Sequence, residues 1–131
     1  MGGKRGSPGL GIIGFGIVGC GAAAGVHARA ISEIEDARLI AVADRDYERA
    51  EKMASNFGCL AFSDYREIVL RDDVDVVIIC TPSYLHREMA IEIARHGKHV
   101  ISEKPLDISL QGADEVIQAC SEAGVKLAVI S

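Results

Sequence analysis

Apolar runs of strand length alternate with amphipathic stretches of helix length along almost the whole chain, and this alternation leaves few folds open. The strand candidates are 12–18, 39–43, 74–79, 99–102 and 126–130, with a short, weaker one near Leu60. Val76-Val77-Ile78-Ile79 is apolar without interruption, as suits a strand buried on both faces of a parallel sheet. Between the runs, Tyr47, Ala50, Met53, Ala54 and Phe57 recur at helical spacing, and Gly58 is placed to end that helix in the left-handed conformation. Ser63 and Asp64 are N-cap candidates for a short helix carrying Tyr65, Ile68 and Val69. Met89, Ala90, Ile93 and Ala94 form the inner stripe of the next helix. Ser109 caps a last one, with Ala113, Val116, Ile117 and Cys120 inward. The pattern predicts a doubly wound α/β domain of about six parallel strands with helices on both faces. A chain of 131 residues holds one such core and not two. Residues 1–9 (MGGKRGSPG) have linker composition, which leaves 10–131 as the folded domain.

The first strand–helix junction carries two overlapping glycine patterns. One is Gly14-Phe-Gly16-Ile-Val-Gly19; the other is Gly19-Cys-Gly21-Ala-Ala-Ala24, with alanine in third place. In a phosphate-cradling turn the first glycine follows a strand and the third small residue opens a helix whose amides face the anion. Phe15-Gly16-Ile17-Val18 reads as strand and 22–34 as helix, which favours the later register. Asp44 ends the second strand about 25 residues beyond Gly19, the reach expected of a carboxylate that holds the ribose hydroxyls of a dinucleotide. A carboxylate there repels a 2′-phosphate and favours NAD. Arg45 leaves NADP open, because its guanidinium is able to stack on adenine or to meet that phosphate.

Composition excludes several other classes. The net charge of −5, with scattered basic residues, lacks the footprint that nucleic-acid binding requires. Cys20, Cys59, Cys80 and Cys120 form no C-x-x-C pair and read as buried free thiols of a cytoplasmic protein. Lys4 and Arg5 before the uncharged stretch 10–26 imitate a secretory signal. The glycines that stud this stretch lower its hydrophobicity and belong to the turn, so neither export nor a membrane span is expected. His96 and His99 flank a helix end, so their rings need not converge. No metal is expected, and His96 is assigned to the helix's carbonyl terminus.

Three blocks in the right order resemble the Gfo/Idh/MocA family of oxidoreductases. They are Gly19-Cys20-Gly21-Ala22-Ala23-Ala24-Gly25-Val26-His27-Ala28, then Thr81-Pro82-Ser83-Tyr84-Leu85-His86, then Glu103-Lys104-Pro105. The resemblance spans nearly everything after the N-terminal tail. It implies a Rossmann domain that binds NAD, with NADP as the alternative. The expected cofactor-binding residues are Gly19, Gly21, Ala22, Ala23, Ala24, Asp44, Arg45, Thr81, Pro82, Ser83, His86, Glu103 and Lys104. In the family this lysine stands at the nicotinamide beside the substrate oxygen, which makes Lys104 the expected catalytic residue. An ammonium there stabilises an alkoxide-like oxygen or relays its proton. Pro105 holds Lys104 extended, and the sequence leaves the isomer of their peptide bond open.

Family members carry a second domain that holds the substrate, and this chain stops at Ser131. The expectation is therefore a cofactor-binding fragment, inactive alone, of an enzyme that moves hydride between a nicotinamide and a hydroxyl or carbonyl carbon of a sugar or polyol. A homo-oligomer is compatible with the resemblance. The alternative is a non-enzymatic relative that senses dinucleotide, against which the presence of Lys104 weighs.

Overall fold

The computed structural model describes residues 11–103 and 109–130. Among these residues six strands form one parallel sheet: β1 (Ile13–Val18), β2 (Ala37–Ala43), β3 (Leu60–Phe62), β4 (Val76–Ile79), β5 (His99–Glu103) and β6 (Leu127–Ile130). Their order is β3-β2-β1-β4-β5-β6, so the chain winds outward from β1 to one edge and then from β4 to the other. The helices are α1 (Ala22–Ser32), α2 (Tyr47–Phe57), α3 (Arg66–Val69), α4 (His86–Arg95) and α5 (Leu110–Ala123). A 3-10 turn at Ser83–Leu85 leads into α4.

Strand residues feed two cores in alternation. Val77 and Ile79 of β4 join Ile68, Val69, Ala90, Ile93, Val116 and Cys120 in the core beneath α3, α4 and α5. Ile78, with Ile17 of β1 and Val42 of β2, joins Ala24, Ala28, Ile31, Ala50 and Ala54 in the core beneath α1 and α2. A continuous apolar run is thus split between two faces by the period of two. The alanines on α1 and α2 let those helices lie close to the sheet.

Gly14 and Gly16 of the earlier glycine pattern belong to the strand, where they are packing residues. A Cβ on Gly14 would stand 1.9 Å from the Asp73 carbonyl oxygen, and one on Gly16 2.5 Å from Ile68 Cγ2.

Helix ends follow local chemistry closely. Gly58 and Gly124 are left-handed at the ends of α2 and α5, and Ser109 Oγ accepts the Gly112 amide at 3.0 Å to start α5. Three local expectations differ. The first helix ends at Ser32 rather than 34. The cap position of α3 falls to Tyr65 with no side-chain cap bond, because the Asp64 carboxylate instead closes a turn onto the Arg66 amide at 3.0 Å. Tyr47 and Ile117, placed inward by spacing, are 47% and 52% exposed. Tyr47 opens α2 at the rim of the sheet. Ile117 lies on the flank of α5, whose inner stripe Val116 and Cys120 already fill.

Candidate cofactor site

The turn between β1 and α1 is built on Gly19, whose φ of +93° is a conformation that glycine adopts without strain. The same residue allows a close approach. A Cβ there would lie 2.8 Å from the Cys80 carbonyl carbon and 2.9 Å from the Thr81 amide nitrogen. The turn after β1 therefore rests directly on the chain leaving β4, at the point where the winding reverses. In open α/β sheets, ligands bind in the crevice at that point.

Gly21 is the N-cap of α1 and contrasts with Gly19. Its φ of −84° suits any residue, and nothing lies within 4 Å of where its Cβ would be. Among the described residues no side chain caps α1 and no acidic residue stands in its first turn; the Ala24 amide turns back to the Gly21 carbonyl at 3.2 Å, and no side chain competes with an anion for the helix start.

Asp44 closes the turn from the side of β2. Its Oδ2 accepts the Cys20 amide at 2.8 Å and its Oδ1 accepts the Asp46 amide, also at 2.8 Å. The Arg49 guanidinium stands 3.9 Å from Oδ2. One carboxylate thus fixes both the glycine turn and the start of the β2–α2 connection, and Asp44 lines a groove.

That groove, of about 650 Å³, runs along the carboxyl ends of β1 to β4. Of the residues expected from sequence, it brings together Gly19, Gly21, Asp44, Arg45, Thr81 and Pro82. Ala22, Ala23, Ala24, Ser83, His86 and Glu103 do not line it. Ala24 is fully buried against the sheet, the third-position packing role. Ser83 opens the 3-10 turn behind Pro82. His86 is buried and faces Thr81 and Ser102. Glu103 ends β5 with its Oε2 3.4 Å from Nε2 of His27 on α1. Lys104 and Pro105 lie outside the described residues.

Sequence reasoning missed Arg49 and the segment Ser63, Asp64, Tyr65 and Arg66, all of which line the groove. The segment follows β3 at its carboxyl end, so the strand-end rule that selected Thr81 would have found it. The weakness of the β3 run hid it. Tyr65 donates its hydroxyl to Glu92 Oε1, and Arg66 Nε meets Glu92 Oε2 at 3.3 Å, which ties this wall of the groove to α4.

The thiols near the turn are inert. Burial, and then the neighbouring Asp44 carboxylate, push Cys20 up to about 12; burial, and then Glu103, push Cys80 up to about 12. Neither offers a thiolate nucleophile at neutral pH. His96 and His99 have separate partners. Nδ1 of His96 meets the Glu92 carbonyl at 2.9 Å, whereas Nδ1 of His99 accepts the Lys126 amide at 3.0 Å. Among the described residues no group of three or more His, Cys, Asp or Glu could hold a metal, and no helix is long and apolar enough to cross a membrane.

Comparison with known proteins shows the family and the fold. The sequence model of the Gfo/Idh/MocA group, described as an oxidoreductase family with an NAD-binding Rossmann fold, matches residues 13–131. Inositol 2-dehydrogenase of Rhizobium meliloti is 37% identical over 115 residues, 88% of this chain and 34% of that protein. The 2,7-anhydro-N-acetylneuraminate hydratase of Mediterraneibacter gnavus is 39% identical over 113 residues, 86% of this chain and 30% of that protein. The crystal structure of the WlbA dehydrogenase from Bordetella pertussis, in complex with NADH and UDP-GlcNAcA, superposes with a TM-score of 0.86 at 35% identity. The match covers 91% of this chain and 37% of that one. The chain thus spans about a third of the length of these relatives.

Proposed function

Because the chain belongs to the Gfo/Idh/MocA family of oxidoreductases, through their NAD-binding Rossmann domain, we propose that the groove at Gly19, Gly21 and Asp44 holds the dinucleotide of a sugar or polyol dehydrogenase. The observation that carries the assignment is the open, uncapped start of α1, with free space at the Cβ position of Gly21, beside a fixed Asp44 carboxylate. A pyrophosphate needs that combination of a helix start uncapped by side chains and close backbone approach. Asp44 accepts the adenosine ribose hydroxyls. Arg45 and Arg49 flank them and admit NADP as well as NAD. Thr81 and Pro82, backed by Ser83, border the nicotinamide half.

The bound nicotinamide supplies hydride transfer, and this chain's residues bind and orient it. Lys104, which follows β5, supplies the ammonium that holds the proton on the substrate oxygen as that oxygen passes between hydroxyl and carbonyl. Glu103, braced by His27, anchors the strand end from which Lys104 departs. The free thiols, buried at Cys20 and Cys120 and half-buried, against expectation, at Cys59 and Cys80, suit the reducing cytoplasm.

Calorimetric titration with NAD and NADP tests the site directly. Binding of either, abolished by Gly21→Val in a folded protein, supports it; no binding by a folded wild type removes it. In the protein that includes the substrate domain, Lys104→Ala should lower kcat by about a hundredfold or more and leave dinucleotide affinity intact. Unchanged kcat would remove Lys104 from the chemistry, and a protein with no turnover of any sugar or polyol would favour a dinucleotide sensor.

A further inference from the structure

His86, the first residue of α4, is 3% exposed and forms no part of the groove wall. Its ring is nonetheless engaged at both nitrogens. Nε2 lies 2.6 Å from the Thr81 carbonyl oxygen, and Nδ1 lies 3.3 Å from the Ser102 hydroxyl, which shares its one proton between Nδ1 and the Glu103 carbonyl oxygen at 3.2 Å. A carbonyl oxygen only accepts, so Nε2 carries a proton and donates it there. The imidazole is a strut between two neighbouring strand ends. Thr81 follows β4 by two residues, and Ser102, fully buried, is the penultimate residue of β5.

An apolar side chain would fill this position on the inner stripe of α4 as well as Met89, Ala90 and Ile93 fill theirs. Burying an imidazole costs more than burying a leucine unless its hydrogen bonds accomplish something that packing cannot. What they fix here is orientation. The Thr81 peptide packs against the glycine turn, its amide nitrogen 2.9 Å from where a Gly19 Cβ would stand. The Thr81 hydroxyl is directed to Met89 Sδ at 3.5 Å. On the other side, Ser102 precedes Glu103, which reaches His27 on α1. His86 therefore closes a chain of contacts from the glycine turn, through Thr81, to the end of β5.

The strand order says which half of a ligand this chain of contacts serves. Asp44, on β2, lies to one side of the glycine turn, while β4 and β5 lie to the other. A dinucleotide with its adenosine ribose on Asp44 and its pyrophosphate on the turn must run its nicotinamide half over the ends of β4 and β5. We infer that His86 is a positioning residue for that half: it sets the Thr81 peptide and the β5 terminus against which the nicotinamide riboside lies, and touches no ligand atom itself. The inference rests on the cofactor reading proposed above.

The test compares NAD with ADP, which keeps the adenosine and pyrophosphate and lacks the nicotinamide riboside. Both are titrated calorimetrically into the wild-type chain, His86→Leu and His86→Gln. The glutamine amide nitrogen reaches the place of Nε2 and restores the donor to Thr81. His86→Leu should weaken NAD by about tenfold with ADP affinity held within about twofold, and His86→Gln should recover most of the loss. Ser102→Ala, which removes the far end of the strut, should weaken NAD selectively by about threefold, and keeps the test intact if the leucine variant fails to fold. Equal loss for both ligands, or no loss for either, overturns the inference while the cofactor site stands. A wild type that binds neither ligand removes the cofactor site and this inference together.

Discussion

Gly19 and Gly21 stand two positions apart in one turn, yet their substitutions separate folding from binding. Gly19→Ala demands a left-handed alanine and drives its Cβ into the Cys80 carbonyl. It should cost about 2 kcal/mol or more, read as a lowered denaturant midpoint. Gly21→Ala meets nothing within 4 Å and has an ordinary φ, so its midpoint should stay within about 0.5 kcal/mol of wild type. Its methyl group would stand where a pyrophosphate must approach, and NAD affinity should fall at least tenfold. Equal effects of the two substitutions on stability would contradict this division. Asp44→Ala should do both kinds of damage, because the carboxylate that faces the groove also receives the amides of Cys20 and Asp46. A loss of about 2 kcal/mol is expected with weaker NAD binding, and Asp44→Asn, which keeps an acceptor oxygen, should be milder in stability.

At the scale of elements, each helix is specified by its ends and its buried stripe. Ser109 accepts the Gly112 amide at the start of α5, and Ser109→Ala should cost about 1 kcal/mol by urea unfolding. Ile93, fully buried on α4, should cost about 3 kcal/mol as alanine. Alanine at the exposed Ile117 on α5 should change the midpoint by less than about 0.5 kcal/mol. That contrast would have been misjudged from spacing alone, which placed Ile117 inward with Val116 and Cys120. A helix at the margin of a sheet has a narrower buried stripe than one over its middle. Only the strand order reveals that α5 serves the marginal strands β5 and β6. The short helix α3 shows a similar limit. Ser63 and Asp64 read as caps because their side chains accept hydrogen bonds, but Asp64 uses that capacity one residue too early to cap the helix.

Over the whole molecule, the buried thiols make stability depend on alkaline pH. A thiol ionises near 9.0 when free, whereas burial pushes Cys20 and Cys80 up to about 12 and Cys59 to about 11. The folded state thus keeps protons that the unfolded chain releases. This contribution to stability is complete below about pH 9 and is lost progressively as pH rises toward about 12. Urea midpoints taken between pH 8 and 10.5 should fall, and the fall should be shallower in a Cys20→Ala, Cys80→Ala double variant. Identical slopes would mean that the thiols do not carry the effect. Reaction of the folded protein with a disulfide reagent at pH 8 should likewise be slow and limited by opening of the structure.

The sequence by itself determined the strand and helix alternation, the register of the glycine turn and the acid at the end of β2. Each of these is a short-range matter of periodicity, backbone freedom or a fixed distance along the chain. Tertiary structure decided what faces what. It placed Ala24 and His86 in the interior although they belong to motifs that mark a ligand site, because a motif fixes order along the chain and not the direction of a side chain. It also brought Arg49 and the segment after β3 to the groove wall. Residues so far apart in sequence become neighbours only when parallel pairing gathers the carboxyl ends of the strands on one side of the sheet.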